Sequence, residues 1–135
     1  MDYPRSTRST LFDQAVAALQ SELDTRLQQL HSRKPAIGRL EALEQYLKAI
    51  GWRARADVAT HQHAGAILRL WVNVTSQVEL TGLLLDLARD NVEVARKEFQ
   101  DYADTIGYEL TLGVGRDRVL MRVAVPSRAP AKAVA

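Results

Sequence analysis

The sequence predicts an α+β domain: an N-terminal helix followed by two αββ units, whose hairpins pool into one four-stranded antiparallel sheet with the helices packed on one face. Three observations point there. Apolar residues recur every three or four positions over residues 10–50 and again from residue 80. Between and after those stretches the apolar period falls to two. Finally, the segment Tyr46–Trp52 has a counterpart in Tyr102–Tyr108, at an offset of 56 residues (102 − 46).

The first helix carries Phe12, Val16, Leu19, Leu23, Leu27 and Leu30 on one stripe. Thr10 with Asp13 has the form of a capping box, in which each side chain satisfies an orphan amide. Ser32-Arg33-Lys34-Pro35 breaks the pattern. A second helix follows with Ile37, Leu40, Leu43, Leu47 and Ile50, and Gly51 supplies the left-handed residue that stops it. Alternation over 52–61 and 66–75 predicts two strands, joined at His61-Gln62-His63-Ala64-Gly65.

Ser76 with Glu79 opens the next helix as a second cap. Its stripe of Leu80, Leu84, Leu87, Asn91, Ala95, Phe99, Tyr102 and Ile106 predicts one long helix ending at Gly107, with Asp90-Asn91 the point at which it would divide. Residues 108–114 and 118–125 alternate again, joined by Gly115-Arg116-Asp117. The matched segments share Tyr, Ile, Gly and an aromatic at identical spacing. Tyr and Ile four apart lie on one helix face, Gly ends the helix, and the aromatic begins a strand. The match reads either as a duplication, 37–75 against 77–125, or as chemistry common to helix-to-strand junctions. A single domain is expected over 9–126, with polar or aperiodic tails at 1–8 and 127–135.

Strand alternation assigns two faces to the sheet. Trp52, Ala54, Ala56, Val58, Leu68, Leu70, Val72, Val74, Tyr108, Leu110, Leu112, Val114, Val119, Met121, Val123 and Val125 form an apolar face to be covered by helices. The other face holds Arg53, Arg55, Asp57, Arg69, Trp71, Asn73, Glu109, Thr111, Arg118, Leu120 and Arg122. Guanidinium groups around an aromatic suit three roles: the solvated side of an antiparallel sheet, a protein interface, or a platform for single-stranded nucleic acid. Asp57 and Glu109 weigh against phosphate.

Composition narrows the classes. Net charge is +2, too small for wholesale nucleic-acid binding, although arginines far outnumber lysines among the 18 basic residues. There is no cysteine, which excludes disulfides, thiolate metal sites and cysteine nucleophiles. No apolar run reaches the length of a membrane span and no signal-type N-terminus is present, so a cytoplasmic location is expected. His61 and His63 share a face in an extended strand, with only Asp57 as a third ligand nearby, and no metal site is expected. Phosphate-loop, nucleophile-elbow and zinc-protease motifs are lacking. The expectation is therefore a non-enzymatic protein-binding or assembly protein without a cofactor, acting as a homodimer in an adaptor, chaperone-like or mobile-element accessory role. A 23-residue helix of about 34 Å overhangs strands of about 26 Å, which nominates Leu27 and Leu30 for dimerisation. The alternative is a small regulator that binds RNA or single-stranded DNA through Arg53, Arg55, Arg69, Trp71, Arg118 and Arg122.

Overall fold

A computed structural model of the protein describes residues 10–61, 65–97 and 105–125. Three helices, α1 (Thr10–Ser32), α2 (Lys34–Ala49) and α3 (Gln77–Arg89), accompany five strands: β1 (Arg53–His61), β2 (Gly65–Asn73), β3 (Val92–Arg96), β4 (Thr105–Leu112) and β5 (Asp117–Ala124). The class is α+β, as the periodicities predict, but the sheet has five strands in the order β1-β2-β5-β4-β3. It is also mixed. β1–β2, β3–β4 and β4–β5 are antiparallel, whereas β2 and β5 run parallel through Leu68↔Val119 to Asn73↔Ala124.

The first αββ unit forms as expected. α2 ends in a Schellman motif: the Trp52 N–H donates to the Leu47 carbonyl and the Gly51 N–H to that of Lys48, with Gly51 at φ +105°. The chain then turns directly into β1. α2 buries Ala36, Leu40, Leu43 and Leu47 against the β1–β2 hairpin.

The second unit differs from expectation. The long helix to residue 106 is not formed: α3 stops at Arg89, and Asn91 takes φ 59°, a left-handed conformation that asparagine tolerates better than most residues. Val92-Glu93-Val94 then alternates as β3, and the unit is α-β-β-β. Gly107 is not a helix stop but a buried residue within β4, between Ile106 and Tyr108. The correspondence with Tyr46–Trp52 is therefore not a shared junction; Tyr102 itself, like the two proposed tails and His63, lies outside the described residues.

The α3 N-terminus is built as expected, with the Glu79 N–H donating to Ser76 Oγ at 3.2 Å and Glu79 Oε1 accepting from the Thr75 N–H at 2.9 Å. α3 buries Leu80, Leu83 and Leu87. These join α2 and the apolar sheet face in one core, where Leu70, Leu110, Val119, Met121, Val123 and Val125 are fully enclosed. Trp52 packs at its edge, its indole against Gly82, and its Nε1 donates to Asp86 Oδ2 at 2.9 Å. Val114 is the exception to the expected face, lying fully exposed in the β4–β5 turn. Arg39 of α2 pairs with Asp117 at the start of β5, tying the helix to that turn.

Candidate functional site

Strand register arranges the face opposite the core into rows. One row runs Arg55–Trp71–Arg122–Gly107 across β1, β2, β5 and β4. The row toward the sheet end holds Arg53, Asn73, Ala124 and Thr105. On the other side comes Asp57–Arg69–Leu120–Glu109–Ala95, and beyond it Arg118, Thr111 and Glu93. All six residues named from sequence for this face are brought onto it. Glu93 and Lys97 also belong there and were hidden by the long-helix reading; the signal that reveals them is the alternation at Val92-Glu93-Val94.

The charges are not evenly mixed. Asp57 accepts two bonds from Arg69, at 2.7 and 3.0 Å. Glu109 accepts from Lys97 Nζ at 2.9 Å, which holds its carboxyl below the usual range. Glu93 faces Arg116 at 3.4 Å. Each described acid on this face thus has a basic partner. The two rows at the β1 N-terminal end carry Arg53, Arg55 and Arg122 and no acid. Glu79 borders this corner, sharing a depression with Arg53 and Asn73, and is held low in pKa chiefly by the Thr75 N–H, with Arg53 adding to the effect.

Trp71 is the centre of this corner. The Arg122 guanidinium carbon lies 5.8 Å from the indole centroid, on the β5 side. On the β1 side is an open depression of about 360 Å³ lined by Arg53, Ala54, Arg55, Trp71 and Asn73. Arg53, Arg55 and Asn73 are exposed and Trp71 is half-buried. The indole Nε1–H is buried without an acceptor among the described residues.

The second candidate surface is α1. None of its 23 residues is buried. It lies against β1, β2 and the start of α2, with Gln29 Nε2 donating to the His61 carbonyl. Leu30 is half-buried there, and Leu27 is 44% exposed. Most of the apolar stripe lies further N-terminal, where Leu11, Phe12, Leu19 and Leu23 are 57–78% exposed.

Among the described residues no cluster of three His, Cys, Asp or Glu side chains is placed to hold a metal ion, and no helix is long and apolar enough to cross a membrane. No protein-family model matches the chain, and no curated protein matches it.

Proposed function

We propose that the protein is a non-enzymatic association module that works as a homodimer, with α1 as the pairing element. The observation that carries this reading is the exposure of Leu19, Leu23 and Leu27 on the apolar side of α1, a helix that buries none of its residues although its C-terminal part lies against the sheet. Phe12, Val16, Leu19, Leu23, Leu27 and Leu30 step by three or four residues, the spacing of a helix–helix seam. A contiguous exposed apolar stripe of this kind marks an interaction surface. A second copy is the natural occupant, because the same stripe supplies both sides of an isologous contact.

Light scattering at tens of micromolar should give twice the chain mass. Replacing Leu19 and Leu23 together by Asp should return it to one chain mass with an unchanged circular dichroism spectrum, since neither residue contributes to the core. A wild-type monomer at that concentration overturns the proposal.

A further inference from the structure

We infer that the corner of the sheet formed by Arg53, Arg55, Trp71 and Asn73 binds single-stranded nucleic acid, seating one base against the indole. The argument is independent of α1 and rests on charge and shape. A whole-chain charge of +2 conceals a local segregation. Asp57, Glu109 and Glu93 are each matched with a base, and the surplus positive charge collects at one corner. Arg53 and Arg55 are alternate residues of β1, so their side chains leave the same face about 7 Å apart. That separation lets them engage successive phosphates of an extended strand. Both are exposed, and neither forms an ion pair with a described carboxylate.

The depression beside Trp71 supplies the other half of the site. Arg122 occupies the β5 side of the indole, which leaves the side facing the depression for a base. A base there would lie on the indole opposite a guanidinium, an arrangement that strengthens stacking through the cation. Asn73, whose amide both donates and accepts, lines the same space. A duplex is disfavoured because its bases are already stacked and cannot enter. An acidic protein segment would use the arginines, but its carboxylates are repelled by the negative face of the indole, so single strands fit the whole corner best.

Fluorescence anisotropy with labelled twelve-residue oligothymidine and oligouridine tests this. Two neutralised phosphates give a slope near −1.4 in log K against log salt, so raising salt from about 50 to about 200 mM should weaken binding roughly sevenfold. Arg55→Ala should flatten the slope by about 0.7. Trp71→Ala should weaken binding roughly 5- to 150-fold with little change in slope, and Trp71→Phe should recover much of that loss. Arg89→Ala, which removes the same charge from α3, should leave affinity within about twofold. Thermal melts establish that each variant is folded. Absence of binding at low salt overturns the inference, as does an equal loss from Arg89→Ala and Arg55→Ala. So does competition by a twelve-residue oligoglutamate at the affinity of the oligonucleotide, which would assign the corner to acidic protein segments. A shift of the light-scattering mass by Trp71→Ala without oligonucleotide binding would assign it to a protein interface. The oligonucleotide outcomes do not bear on whether α1 pairs; the mass shift does, and Leu19→Asp with Leu23→Asp tells the two contacts apart.

Discussion

Ser76 and Glu79 anchor the start of α3 by reciprocal bonds: the serine hydroxyl accepts from the Glu79 amide, and the Glu79 carboxylate accepts from that of Thr75. Ser76→Ala should cost about 1 kcal/mol, measured by urea denaturation. The carboxylates add a pH dependence with a defined sign. Glu79 is held below the usual range by the Thr75 N–H, and Glu109 by Lys97. A folded pKa lower than the unfolded one stabilises the protein above the ordinary carboxylate pKa of about 4.3, and that contribution vanishes as pH falls through the folded value. Melting temperature should therefore drop more steeply between about pH 5 and about pH 3 in wild type than in Glu79→Gln. A parallel drop in both would show that the carboxylate contributes nothing. This cap was readable because its partners lie three and four positions apart. The partners of Trp52 and Arg39, in Asp86 and Asp117, are distant in sequence and left no such local mark.

At the scale of elements, the decisive residue is Asn91. Its φ of 59° turns the chain from α3 into β3, whereas a helical continuation would have carried Glu93 and Lys97 away from the sheet. Asn91→Gly should be neutral or slightly stabilising, because glycine adopts this conformation without a steric cost. Asn91→Val should cost at least ~1–2 kcal/mol, since a β-branched residue is strained there. Urea midpoints for the pair decide it; equal midpoints would mean that the turn does not constrain the residue. Periodicity misread this region for a physical reason. Leu87, Asn91 and Ala95 are spaced for one helix face, while Val92 and Val94 are equally spaced for one strand face. A five-residue strand offers too few alternations to outweigh a helix stripe already running. β-branched residues directly after a left-handed asparagine were the available clue. The Gly51 stop, by contrast, follows a complete amphipathic stripe and was unambiguous.

For the molecule as a whole, alternation located the inward positions of β1, β2, β5 and most of β4 without knowing the strand order, because which residues face inward depends only on parity along each strand; Val92 and Ile106, read as helical, were missed. Leu70→Ala should therefore cost about 2–5 kcal/mol, as Leu70 is fully enclosed between α2 and the sheet centre. Thr111→Ala, on the opposite face, should cost less than about 1 kcal/mol. Similar losses in chemical denaturation would place the register off by one. The order β1-β2-β5-β4-β3 was beyond sequence reasoning, since pairing β2 with β5 joins residues about 50 positions apart and needs no particular side chain to announce it. The basic corner depended on the same pairing. Arg122 meets Trp71 only across that parallel junction, so the six residues could be assigned to a face but not to rows.

The parallel seam between β2 and β5 has a kinetic consequence. The β1–β2 hairpin and the β3–β4–β5 meander each close through short connections, while the seam between them requires closure of a loop of about 50 residues. Such closure comes with an entropy loss that local contacts do not offset until the two pieces meet, so docking of hairpin and meander is the step expected to limit the folding rate. Until then the two edges that will pair, β2 and β5, are both open, and the complementary edge of a neighbouring chain is as good a template as its own. During synthesis or refolding at high concentration, exchange of the meander between chains is thus the characteristic wrong turn for this topology.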